Sequence, residues 1–360
     1  GEEPILWFPR ADLDLDAFEA LAPETWQPGA GDLDGFVAFD PALVRLTVID
    51  AAPGATDDDP DTTVKVFPVW GDARDLIDVL DVQLDGTASN DDGLVRYISA
   101  ARDDWKRPVV EASQILAQTI VASCRQSPGR RAVSASIIVP RAADPRAPYT
   151  IELEPIADGR TFSTYTSRAV QGGRTCTVGT VLLDATAPDV MRHADPAPDV
   201  GSPYDATPYD MSVTGRDLRM VDDAYTGDPE APIGPPEIGV WVRFRDVPDD
   251  QVLHAALLAQ FTGHISIAAS MRPHAGIGQW QAHRTLSTAV NAISLAIHAD
   301  VRADQWLLYH HRSTFAGDGM THSSCRVLTQ SGDPVASFTT ECMVRGFADP
   351  NHVVYDRTSL

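Results

Sequence analysis

The sequence predicts an α+β fold built from two copies of one unit, each a strand, a long helix and then an antiparallel run of strands. Three observations predict it. Apolar residues recur at helical spacing through 107–126 and again through 249–270. Each helix is followed by four segments with strand-like alternation. The turn TQSGD at 329–333 answers VQGGR at 170–174, with Gln330 standing 159 residues after Gln171. Matched turns at matched places favour a duplication over two unrelated α+β domains.

Residues 1–73 read as an acidic N-terminal extension. They carry Pro, Gly and Asp clusters at 28–35 and 53–61, and two short apolar stretches at 43–48 and 64–70 fit strands. The first unit spans 74–183. It opens with a short helix at 75–80 and a strand at 94–99. The segment RPVVEASQILAQTIVASCRQ, 107–126, then forms a helix that ends at SPG. Strands follow at 131–139, 149–155, 161–170 and 175–183, parted by the turns DGR (158–160) and QGGR (171–174). Residues 184–237 are rich in Pro and Asp and read as a linker. The second unit spans 238–350, with a strand at 240–248, a helix at 249–270 and strands at 284–298, 305–313, 319–329 and 335–345.

The chain has 360 residues, 43% of them hydrophobic, enough for one large core or two modest ones. Net charge is −23, and Lys65 and Lys106 are the only lysines. Such a surface repels phosphate backbones, so nucleic acid is not an expected partner. A solvated, solubility-promoting surface accounts for the charge. An anionic ligand would need a local arginine patch. No apolar run reaches the length of a membrane span, and no membrane partner is expected. The acidic N-terminus GEEPILWFPRADLD does not have the form of a signal peptide. Cys124, Cys176, Cys325 and Cys342 form neither a CxxC pair nor a zinc spacing. The expectation is a reduced, cytoplasmic protein with buried thiols. Neither a metal nor a cofactor is expected. The histidines His274, His283, His298, His310 and His311 make no HxH or HExxH pattern, and phosphate-cradling and nucleophile-elbow motifs are missing.

The stretch MRPHAGIGQWQ (271–281), then QWLLYHHRST (305–314) and TQSGDPVASFTTECMVRGF (329–347), resembles the C-terminal half of the acyl-CoA thioesterase II family. That family has a PHGIG-like turn, an EWLLY-like strand and a TQDGxLVAS-like hairpin. RPVVEASQILAQ (107–118) and DGRTFSTYTSRAVQGGR (158–174) resemble the helix entry and hairpin of its first half. The resemblance covers about 74–183 and 238–347. It implies a double hotdog, two tandem repeats each with a long helix wrapped by an antiparallel sheet, and an acyl-CoA or other acyl thioester as ligand. Homo-oligomerisation is also consistent with it. Most of the matching residues serve turns and sheet faces, so they speak for fold before activity.

The resemblance also implies a site of an Asp at the second helix, a Thr or Ser on a following strand and a Gln on the last strand. Counting from the matched motifs, these positions fall on Gly263, Val290 and Thr340. Glycine and valine cannot move protons. Threonine can orient water but cannot serve as a base at neutral pH. A one-residue slip on a strand turns the side chain to the other face, which argues against Asn291 and Glu341 as substitutes. On a helix the same slip is a turn of about 100°, so His264 is a candidate base; its alternative is an interior or interface histidine. Glu111, at the entry of the first long helix, is the pseudo-symmetric counterpart of the missing Asp. It is a second candidate base, with Ser113 and Gln114 beside it; its alternative is stabilisation of the helix N-terminus. The catalytic candidates are therefore Glu111, His264 and Thr340, and Gln114, Gly263 and Val290 are assigned to substrate binding. Three functions fit: a divergent thioesterase acting through activated water, a non-catalytic binder of an acyl thioester or other small ligand, and a hotdog enzyme of another reaction such as dehydration or isomerisation.

Overall fold

The computed structural model describes residues 6–9, 36–39, 44–46, 66–68, 74–86, 92–101, 109–209, 215–224, 230–282 and 285–347. In the extension, β1 (Leu6–Pro9) pairs with β2 (Phe36–Phe39), and β3 (Val44–Leu46) pairs with β4 (Val66–Pro68). The last two fall within the stretches expected as strands. The clusters at 28–35 and 53–61, and His283, lie outside the described residues.

The first unit holds α1 (Arg74–Leu80), β5 (Gln83–Leu84), β6 (Val95–Ser99), α2 (Ala112–Gln126), β7 (Arg131–Ile138), β8 (Tyr149–Asp158), β9 (Phe162–Gln171) and β10 (Arg174–Asp184). Then come β11 (Thr207–Tyr209) and β12 (Arg216–Met220). The second unit holds β13 (Glu237–Phe244), α3 (Gln251–Phe261), α4 (Ser266–Met271), β14 (Leu286–Ile297), β15 (Leu307–Gly317), β16 (Met320–Thr329) and β17 (Pro334–Gly346).

One antiparallel sheet of 13 strands runs β11-β12-β13-β15-β16-β17-β14-β7-β10-β9-β8-β6-β5. Its two halves mirror each other. From the seam outward, β7-β10-β9-β8-β6 corresponds strand for strand to β14-β17-β16-β15-β13. The seam is the pairing of Ala292 with Ile138, Ser294 with Ser136 and their neighbours. The two matched turns occupy matched places, joining β9 to β10 and β16 to β17. The sheet wraps around its helices, which gives the double hotdog.

The helix α2 is buried from Ser113 to Cys124, on every face, as a helix at the centre of a curled sheet must be. It ends where Gly129 takes φ +80°. The second long helix differs from the expectation of one unbroken element over 249–270. Asp250 caps α3 by accepting from the Val252 N–H at 2.9 Å. The helix then breaks at Thr262–Ile265. Thr262 Oγ1 donates back to the Ala259 carbonyl at 2.7 Å, and Ile265 sits at φ 68°, a strained angle for a β-branched residue. Residues 251–271 together are long and apolar enough to span a bilayer, which corrects the reading that no such stretch exists. In this fold 78% of the most apolar window lies buried inside the protein.

The stretch 184–237 does more than link. Its strand β12 turns Arg216, Leu218 and Met220 inward. From the same stretch, a strap on the second unit, Ala206 and Val221 join Trp241, Trp306, Leu308 and Leu328 in a separate apolar cluster. Arg326 holds the strap by donating to the carbonyls of Asp195 at 2.7 Å and Pro196 at 2.8 Å.

Candidate functional site

The start of α2 meets the break between α3 and α4 across the middle of the molecule. Glu111 is the N-cap residue of α2, yet its side chain does not cap that helix. Its carboxylate reaches across the helix–helix contact, and Oε2 accepts from Gln260 Nε2 at 3.0 Å. His264 Nε2 lies 3.8 Å from the same oxygen and 3.5 Å from Gln260 Nε2. Gln260 lies in the last turn of α3 and His264 in the break that follows it, and both reach Glu111. Their side chains differ in access: that of Glu111 keeps 18% of its surface exposed and that of His264 only 4%. The His264 ring packs against Phe261 at 4.9 Å between centroids.

Behind this trio stands Arg216, fully buried, whose Nη1 donates to Gln260 Oε1 at 3.1 Å. Its guanidinium carbon lies 4.9 Å above the Phe261 ring. Arg216 has no acceptor atom, so the Gln260 amide must turn its oxygen toward Arg216 and its nitrogen toward Glu111.

Gly263, in the break after α3, lies tight against the start of α2. A Cβ there would lie 2.5 Å from Ser113 Oγ and 3.0 Å from Ser113 Cβ. Ser113 thus occupies the space that a side chain at 263 would need. The Ser113 hydroxyl is buried and finds no hydrogen-bond partner among the described residues.

Of the expected site residues, Glu111, His264 and Gly263 come together, and Gln260, Arg216 and Ser113 complete the group. Gln114, Val290 and Thr340 lie elsewhere. Gln114 donates to the Tyr149 hydroxyl at 3.1 Å, inside a network with Gln118 and Ser99. Val290 is part-buried against the core and faces Cys342 across the β14–β17 pair. Thr340 lies between Ile293 and Ser323 in the sheet, with its hydroxyl turned into the interior. Its row continues through Ser323 to Ser313, and Ser270 donates to Ser313 at 2.9 Å. Next to that row His311 is wholly buried, Nδ1 facing Ser266 Oγ at 3.2 Å, and burial pushes its pKa down to about 3. The thiols of all four cysteines are free and buried, and burial pushes that of Cys342 up to about 11. Such thiols are poor nucleophiles.

Face-counting from the sequence fails at one point. A β-bulge in β14 lies between Val290 and Ala292, so Asn291 is the extra residue. Its Oδ1 is buried and finds no hydrogen-bond partner among the described residues. Gln260 and Arg216 were also out of reach of motif counting. The spacing of Gln260 to His264 was the available signal for the first. The alternation in Arg216-Asp-Leu-Arg-Met220 was the signal for the second. Among the described residues no cluster of His, Cys, Asp and Glu is arranged to hold a metal ion.

Residues 101–183 match the family model described as the acyl-CoA thioesterase N-terminal domain, and residues 187–344 match that of the acyl-CoA thioesterase C-terminal domain. Together they take in well over half of the chain. The chain belongs to the acyl-CoA thioesterase family. Human acyl-coenzyme A thioesterase 8 is 25% identical to it over 268 residues, 64% of this chain and 79% of the relative. The solved TesB protein of Mycobacterium avium subsp. paratuberculosis superposes with a TM-score of 0.62 at 20% identity, covering 75% of this chain and 98% of its own. The acyl-CoA thioesterase II TesB2 of Mycobacterium marinum gives 0.60 at 24% identity over the same shares. These two show the shared fold. The match to the C-terminal model begins at 187, so the matched residues include β11 and β12.

Proposed function

We propose that the protein hydrolyses an acyl-CoA or related acyl thioester with Glu111 as general base. The observation that carries this is the Glu111 carboxylate, turned away from its own helix and onto Gln260 and His264. In this reading Glu111 takes a proton from water as the water oxygen attacks the thioester carbon. The tetrahedral oxyanion forms beside the start of α2, whose leading N–H groups lack a side-chain cap and carry partial positive charge. Collapse breaks the C–S bond, and the proton on Glu111 passes to the leaving sulfur. Gln260 holds the carboxylate in place, and His264 offers a second polar contact to the water. Membership of the family and the partial exposure of Glu111 support the reading.

The test is turnover of acyl-CoA esters of graded chain length, read by release of free thiol. Glu111→Gln keeps the shape and removes the base, and its rate is expected to fall by about 10²–10⁴-fold. An undiminished rate removes Glu111 from the chemistry. Binding of acyl-CoA with no turnover in the native protein identifies a thioester binder instead. Gly263 favours that second outcome, because the space beside it is filled by Ser113.

A further inference from the structure

A buried arginine on a strand of the strap reaches into the site that the proposed chemistry uses. We infer that Arg216 is a positioning residue: it fixes the orientation of the Gln260 amide and thereby the ionisation of Glu111. The inference rests on the reading of Glu111 as the working carboxylate, but its test does not depend on turnover.

An amide side chain can present either end to a neighbour. Between a carboxylate and an acceptor, Gln260 would still turn its nitrogen to the carboxylate, but no partner would hold its oxygen. Arg216 supplies donors alone, so the Nη1 to Oε1 contact at 3.1 Å leaves one orientation for the amide. In that orientation Nε2 donates to Glu111 at 3.0 Å. A donor to a carboxylate favours its charged form. The geometry also limits how Arg216 can move: Phe261 lies 4.9 Å beneath its guanidinium, and Leu218 and Met220 of the same strand are buried. Among the described contacts of Glu111, His264 faces it directly and Arg216 faces it through Gln260. The inference gives the strap a task. It was unreadable in composition, because 184–237 looks like a linker, yet it delivers a guanidinium to Gln260.

The experiment follows the titration of Glu111 by NMR in protein labelled at the glutamate side-chain carboxyl carbon. Glu111→Gln assigns the signal. In Arg216→Met the stem still covers Phe261 while the donors are gone, and the Glu111 midpoint is expected to rise by about one pH unit. If the protein turns over, the acid limb of the rate profile moves up with it and KM changes little. Arg216→Lys keeps one donor and the charge. It gives a smaller rise, and it keeps the test open if the methionine variant does not fold. Gln260→Leu raises the midpoint by itself, and adding Arg216→Met to it produces no further rise. A midpoint that stays put in both Arg216 variants overturns the inference. So does a rise of equal size with Gln260 already gone, which would mean that Arg216 acts without the amide. A missing turnover with the expected shifts would overturn the hydrolytic reading and leave Arg216 as the positioning residue.

Discussion

At the scale of single residues, the second unit is unusual in hiding polar side chains under α4. Ser266, Ser270, Ser313, Ser323 and His311 are all buried. His311 carries the clearest consequence. The folded protein keeps it neutral down to about pH 3, because burial opposes its charge. The unfolded chain protonates it near pH 6.5. Between those values the unfolded state binds the extra proton. Stability present above pH 6.5 is therefore lost as the pH falls toward 3. At pH 5 the loss from this residue is about 2 kcal/mol. Burial lowers His254, His298 and His310 in the same direction. Urea unfolding at pH 7.5 and pH 5 in the native protein and in His311→Gln separates the contributions: the variant loses less stability between the two. Equal losses would show that His311 does not stay neutral in the fold.

At the scale of elements, the contact of α2 with α3 is set by a glycine and a serine. Gly263→Ala places a Cβ 2.5 Å from Ser113 Oγ and 3.0 Å from Ser113 Cβ, so the Ser113 hydroxyl must turn away and the two segments must give way slightly. The expected cost is about 1–3 kcal/mol, read as a lower urea midpoint. Gly263→Asp, which puts back the residue type that the family resemblance implies, costs more in the native background. Together with Ser113→Gly it is expected to be tolerated, because the serine side chain is what fills the space. Additive losses in the pair would refute that account. The same elements show what the sequence made legible. Strands from β6 to β17 outside the strap fall where alternation put them, because each has one face on the core. The break at Thr262–Ile265 was not legible, since the segment is apolar on both sides of it and the φ of Ile265 is imposed by packing. The bulge at Asn291 was hidden because counting assumes an unbroken period of two. Glu111 was found by comparing the two repeats, and His264 by allowing a one-residue slip from the position of the missing Asp. Gln260 and Arg216 were not, because their roles arise only from the contact between α3 and the strap.

At the scale of the whole molecule, the two repeats are not independent domains. The seam of β7 and β14 makes one sheet of both, and a single apolar core takes residues from each, including Ile137, Leu183, Ile293 and Leu295. Cutting the chain between the repeats would leave β14, a strand of 12 residues, as an open edge. It would also expose the faces by which α2 and α3 cover each other. An edge of that length invites pairing with other chains. The second half, residues 184–347, is therefore expected to associate or aggregate when produced alone, and to become soluble and discrete when the first half, 74–183, is supplied with it. The intact protein is expected to unfold in urea in one transition. Tryptophan fluorescence, with Trp241, Trp280 and Trp306 reporting on the second unit, should coincide with the loss of far-ultraviolet circular dichroism from both units. Two separated transitions would mean that the seam is too weak to couple the halves. In that case the Glu111–Gln260 contact, which bridges them, would be lost at the first transition, and the Glu111 midpoint would move while the other half is still folded.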